Sequence, residues 1–354
     1  MIPPAPFVGA PFSLAADIVP GSALDVSFLF AKPAGRRGFV RTQGEMLRFA
    51  DGSPAAFWGV NLCWDALYPS DAEGEKVARR LAVSGVNLVR LTYLDGGPHG
   101  LFRQDRDDTG TLNTERLARL ERFGAALKRN GVYSLLVLGM GRQSLKPGDG
   151  VPVPADKITA ESAYAIGRFF DSRIQAADQR VWRTILTHRN PQTGLRTADD
   201  PAVAAVEILN EGSLFYCYDR FAHLPAPLQA RIAIRWNRWL ADRYNSRAAL
   251  ALAWGGEIKP GEDPTVGTVA LDFSFLDGGP KGASAAPPRR GADWNRFLAD
   301  VCRDYYLAQI AFLRGLGVRQ PISCNGGGSY SAADRWSNRV GDLFDQHQYF
   351  DHPN

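Results

Sequence analysis

The clearest pattern along the chain is an apolar run at 202–206, AVAAV, extended by Ile208 and Leu209. Asp199, Asp200 and Pro201 make a turn ahead of it, and Asn210, Glu211 and Gly212 close it. A short run of small and β-branched residues between turn signals predicts a strand buried on both faces, as in a parallel sheet. Alternation on such a strand places Glu207 on the same side as Leu209 and Glu211. A buried carboxylate there needs a partner, and Arg90 is the candidate for a structural ion pair.

Short apolar runs and amphipathic stretches alternate from residue 57 onward. Strands are expected at 57–62 (FWGVNL), 86–92 (VNLVRLT), 132–138 (VYSLLVL), 321–325 and 343–350 (LFDQHQYF). Helices are expected at 71–84, 114–129, 160–187, 227–244, 247–254 and 292–316. Gly85, Gly131 and Gly317 supply left-handed stops at three of their ends. The Gly- and Pro-rich stretch 255–290 reads as a long surface excursion. Ahead of residue 57, short strand candidates at 26–30, 38–42 and 46–49 form a β-rich extension over 1–56. It is expected to pack across the bottom or side of the main domain, 57–354.

Strand–helix alternation at this spacing predicts a parallel sheet with helices outside it. An open doubly wound sheet and a closed barrel both satisfy that pattern. No GxGxxG or GxxxxGK[ST] opens a helix, which weighs against a nucleotide-binding open sheet. Polar residues recur just past the strand ends: Asn61 and Trp64, Asp95, Arg142, Asn210 and Glu211, Asn325, His347 and Tyr349. Polar groups converging from many strands on one rim are the mark of a (β/α)8 barrel.

Composition narrows the function. The chain has 354 residues, 45% of them apolar, so a sizeable core is available. The 41 basic and 37 acidic residues are well mixed and leave a net charge of +4, which gives no ground for a nucleic-acid partner. No run of about 18 apolar residues exists, so no membrane span is expected. The N-terminus lacks basic residues and is broken by prolines, unlike a signal peptide. Cys63, Cys217, Cys302 and Cys324 are far apart and form no CxxC pair, so free thiols are expected. The five histidines show no HExxH-type spacing, so neither a metal nor another cofactor is expected.

The segments 57–62 (FWGVNL), 85–91 (GVNLVRL), 186–212 (LTHRNPQTGLRTADDPAVAAVEILNEG) and 345–349 (DQHQY) together resemble the cellulase-type glycoside hydrolases, family 5 and its clan A relatives. The resemblance runs from about residue 39 to the end. It implies a (β/α)8 TIM barrel that cleaves β-glycosidic bonds with retention, through a glycosyl-enzyme intermediate. It implies Glu211 as general acid/base, Asn210 on the sugar 2-hydroxyl and Arg90 supporting the carboxylates. His347 and Tyr349 would line the cleft. The residues agree in kind: a retaining glycosidase needs one protonated and one ionised carboxyl about 5–5.5 Å apart.

Two departures stand out. Gly139 lies where the family often has a histidine at the end of strand three. The resemblance also places the attacking glutamate on strand seven, whereas the sequence ends just after its sixth expected strand. An incomplete barrel of about six β/α units is therefore expected, with the nucleophile beyond Asn354 and no retaining turnover by the 354-residue chain alone. A non-catalytic carbohydrate-binding barrel and a transglycosidase are the alternatives. Trp64 is the preferred stacking surface for a sugar ring, with Asn61 beside it. Trp254 reads mainly as packing, and His99 and Asp107-Asp108 as loop residues.

Overall fold

The structure is a computed structural model and describes residues 19, 21–271, 273, 289–326 and 331–348. An antiparallel hairpin, β1 (Arg41–Gln43) and β2 (Met46–Arg48), precedes a parallel sheet. The sheet's strands are β3 (Gly59–Leu62), β4 (Leu88–Leu91), β5 (Tyr133–Val137), β6 (Val203–Asn210) and β7 (Ile322–Gly326). They pair in strict chain order, β3-β4-β5-β6-β7, all parallel. A doubly wound sheet reverses its order at a switch point, and this one does not. The order is that of a TIM-barrel-type β/α fold.

Helices α1 (Asp71–Val83) and α2 (Thr114–Arg129) connect the first three strands of this sheet. Helices α3 (Lys157–Gly167) and α4 (Ser172–Thr187) lead into β6. After β6 come α5 (Ala226–Tyr244), α6 (Arg247–Ala253) and the long α7 (Arg289–Gly315); α8 (Ala332–Asn338) follows β7. Local chemistry sets several of these ends. Ser70 and Glu73 form a reciprocal capping box on α1, and Asn113 caps α2. Gly85 and Gly131 take positive φ at the predicted stops.

The structure corrects several expectations. The helix expected over 160–187 is two helices. Phe169 is buried at the break, and Asp171 accepts a hydrogen bond from the Arg173 N–H to start α4 afresh. The strand candidate at 26–30 is a 3-10 turn, Ser27–Leu29. The stretch 255–290 is anchored where it is described. Glu262 and Arg290 form a buried ion pair, and Val269 is buried. The sixth strand is reduced to one parallel bridge between Ser323 and Leu343, and Phe344 beyond it is half exposed. The sheet among the described residues therefore has five strands where six were expected.

The core follows from the pattern that predicted the strands. Val89, Leu91, Leu136, Val206 and Ile208 pack outward against Phe123, Leu127, Trp182 and Leu186 of the helices. At the N-terminal ends of the strands a second cluster joins Val40, Phe49 and Ala55 to Tyr133, Ala202 and Ala204. It docks the hairpin segment beneath the sheet. No described helix is long and apolar enough to cross a membrane. All four cysteines are free.

Candidate active site

The C-terminal ends of β3, β4, β6 and β7 bring the candidate residues together. Register places Asn61 beside Arg90 and Asn210 beside Gly326. Arg90 reaches across to β6. Its Nε and Nη2 donate to Glu207 at 3.0 and 2.8 Å, its Nη2 to Asn210 Oδ1 at 2.7 Å, and its Nη1 to Asn61 Oδ1 at 3.2 Å. The predicted Arg90–Glu207 pair is thus present, and the same guanidinium fixes both amides. Glu207 is fully buried, and burial pushes its carboxyl up to about 7 against the pull of Arg90.

Glu211 sits one residue past β6 with φ of +48°. A left-handed non-glycine residue costs on the order of 1–2 kcal/mol, so its surroundings must hold it. The Glu211 N–H donates to the Gly326 carbonyl at 2.7 Å, and the Gly212 N–H donates to Asn325 Oδ1 at 2.8 Å. Trp64 and Tyr93 also have positive φ, 57° and 60°, past the ends of β3 and β4. The fourth such residue among those described is Asn245, an ordinary left-handed helix cap. Strain of this kind therefore gathers at one rim.

The Glu211 carboxyl is half buried, with Oε1 2.7 Å from His347 Nδ1. Hydrogen bonds from His347 and, less strongly, Tyr216 hold that carboxyl below the ordinary range, against the opposing effect of burial. The same bond to Glu211 pushes His347 up, and Asp345, 3.9 Å from its Nε2, adds to the effect. Asp345 also lies near Glu207 over Gly326. A Cβ at residue 326 would stand 2.2 Å from Glu207 Oε1 and 2.9 Å from Asp345 Oδ2, so only glycine fits there.

Trp64 is half exposed, with its ring 5.6 Å from that of Tyr93 and 6.4 Å from that of His99. His99 Nδ1 lies 3.1 Å from Asp65 Oδ2, so this loop histidine braces the Trp64 turn. Tyr349 lies outside the described residues. Trp254 is buried against Trp236, as packing. Sequence reasoning missed Tyr93, whose hydroxyl is pushed up by burial, by Cys63 and by the charge of Glu211. Its position just past the arginine strand was the available signal. Also missed were Tyr216 and the buried Tyr164, Arg168 and Asp178 that surround Arg142, itself one of the polar residues expected past the strand ends. Asn210, Gly139, Arg142, Arg168 and Tyr216 line a cleft of about 480 Å³ beside Glu211.

No protein-family model matches the chain. Mannan endo-1,4-β-mannosidase 4 of Oryza sativa subsp. japonica is 27% identical over 49% of this chain and 38% of that protein. The aligned part thus spans well under half of that relative's length. Among solved structures, the β-galactosidase from the psychrophilic Marinomonas ef1 is 15% identical, with a TM-score of 0.50 over 82% of this chain and 40% of that one. The endo-1,4-β-mannanase from Rhizomucor miehei is 14% identical, with a TM-score of 0.40 over 81% of this chain and 82% of that one. The likeness to the galactosidase is one of fold.

Proposed function

We propose that this chain carries the acid/base half of a retaining glycoside hydrolase acting on β-linked polysaccharide, in the manner of the family 5 and clan A enzymes. The observation that carries the reading is Glu211. It is a carboxyl held in a strained backbone past the end of β6, hydrogen-bonded to His347 and next to an asparagine locked by Arg90. In this reading Glu211 protonates the departing glycosidic oxygen and then takes a proton from the attacking water. Asn210 holds the sugar 2-hydroxyl, and Trp64 offers a flat face to a neighbouring ring. The mannan-cleaving rice relative suggests a β-1,4-linked mannan or a similar chain as substrate.

These contacts by themselves make Glu211 a base, because His347 favours its charged form. A sugar that displaces water, and a second carboxylate nearby, both raise an acid's pKa. The proposal assigns that second, attacking carboxylate to a residue outside those described, because Glu207 is committed to Arg90 and wholly buried. The carbohydrate-binding alternative keeps the same cleft without turnover.

Proton NMR of mannan hydrolysis by the intact protein tests the reading. It predicts a β-anomer as first product and loss of that signal in Glu211→Gln. An α-anomer as first product, or undiminished turnover by the variant, would remove Glu211 from the role.

A further inference from the structure

A space lies behind the sheet, on the face turned away from the candidate active site. Alternation on β4 puts Leu91 on this side and Arg90 on the other. Ser134 and Leu136 of β5 border it from the sheet, α2 and α4 flank it, and its volume is about 110 Å³. Leu94, Leu101, Leu127 and Ile185, all buried, complete most of its wall. Protein interiors are close-packed, so a leucine-walled space of this size forfeits contacts that its lining would otherwise make. An engineered cavity of about 150 Å³ with similar walls stays dry and takes up benzene.

Two features keep the space open. Glu121 and Lys128 of α2 tie that helix to the segments opposite. Glu121 Oε1 lies 2.8 Å from His188 Nε2, and Lys128 Nζ donates to Asp200 Oδ1 at 2.8 Å. Asn190 Nδ2 also donates to the Glu121 carbonyl at 3.0 Å. These ties fix the distance of α2 from the end of α4 and from the turn before β6. Between them, Gly124 shares a helix face with Leu117, Leu120 and Leu127, and all four border the space. Chain neighbours and helix backbone aside, a Cβ at residue 124 would meet no atom within 4 Å. Glycine inside a helix is less favourable than alanine. Here it leaves the middle of the wall bare.

One polar group interrupts the leucines. Ser134 pairs with Val89 on one side and Val203 on the other. It keeps part of its surface accessible, and its hydroxyl has no hydrogen-bond partner among the described residues. A ligand that is apolar apart from one hydroxyl matches such a lining. A rigid ring loses less freedom on confinement than an alkyl chain of similar size.

We infer that this space is a binding site for a monocyclic phenol, its ring against the leucines and its hydroxyl hydrogen-bonded to Ser134 Oγ. The inference stands apart from the glycosidase reading, because the sheet separates the two sites.

Calorimetric titration of the intact protein with phenol and with benzene tests it. Both are expected to bind the wild type at one site. Gly124→Leu puts a side chain into the space and should weaken both at least tenfold, while the unfolding midpoint holds or rises. Ser134→Ala should weaken phenol roughly twofold to tenfold, the contribution of one neutral hydrogen bond, and leave benzene unchanged. Trp64→Ala should leave phenol binding unchanged. If Gly124→Leu does not fold, ring-current shifts of the Leu120 and Leu127 methyl signals on adding phenol to the wild type decide the matter. No binding of phenol, or binding that survives Gly124→Leu, would overturn the site. Loss of binding in Trp64→Ala would place the ring in the sugar cleft and overturn it as well. Phenol binding indifferent to Ser134→Ala would overturn the hydroxyl assignment, and tighter binding of hexanol than of phenol would overturn the ring. None of these outcomes alters the role of Glu211.

Discussion

The two ends of the parallel sheet obey different rules. At the N-terminal end Phe49, Phe57 and Tyr133 pack edge to face and tilted, with centroids 5.3 to 6.1 Å apart, over Ala202 and Ala204. That end is apolar, and its side chains serve stability. At the C-terminal end Trp64, Tyr93 and Glu211 hold unfavourable backbone angles, and carboxylates gather around Arg90 and His347. The contrast teaches that this fold spends stability gained at one end on geometry needed at the other. Substitutions at the two ends should therefore separate activity from stability.

The largest effect is expected from Glu211→Ala. Removing a general acid/base should lower kcat on an unactivated glycan by roughly 10²–10⁴-fold, with little change in unfolding midpoint. Steady-state assays beside denaturant curves check it. Phe49→Ala, at the other end, should cost about 3–5 kcal/mol in stability while kcat per folded molecule stays the same. A drop in kcat as large as that of Glu211→Ala would erase the distinction between the ends.

Arg90→Met strands the buried Glu207 charge. It should cost about 3 kcal/mol, the low end for breaking a buried pair, because Arg90 itself keeps some contact with solvent. Arg90→Met combined with Glu207→Leu should recover most of that loss in the same unfolding assay. A smaller effect concerns strain. Glu211→Gly should be about 1 kcal/mol more stable than Glu211→Ala, the reverse of the order at an ordinary strand position. Equal stabilities would show that the left-handed backbone carries no cost.

The smallest effect is on pH dependence. The Glu211 carboxyl is lowered from 4.5 in the fold, so its contribution is present above 4.5 and fades as pH falls through the lowered value. His347 is raised from 6.5, so its contribution is full below 6.5 and is lost as pH rises through the raised value. The pair should therefore stabilise most between about pH 4.5 and 6.5. His347→Gln should flatten that window and return the Glu211 carboxyl towards 4.5, as followed by carbon-13 NMR titration.

Much of the rim was legible because it rides on strands with strong patterns. The run ending at Asn210 and Glu211, and Arg90 in a repeated apolar strand, carry their own signals. The Arg90–Glu207 pair followed from alternation and the cost of a lone buried charge. What could not be read depends on contacts between distant segments. Asp178 joins Arg142, Tyr164 and Arg168 only once α3 and α4 are separate, and that break rests on a single cap at Asp171. Tyr93 lies one residue past the strand expected at 86–92, and only its left-handed backbone turns it to the rim beside Trp64. The alternation at 343–350 promised a strand, yet pairing beyond Leu343 is set by neighbours and not by its own pattern.

The central claim is that Glu211 moves the proton. Its most direct measurement is the hydrolysis of aryl β-mannosides of graded leaving-group ability by Glu211→Ala, with and without azide. The account predicts a rate that falls steeply as the leaving group worsens, together with azide rescue that yields a β-mannosyl azide. A rate indifferent to both leaving group and azide would contradict it.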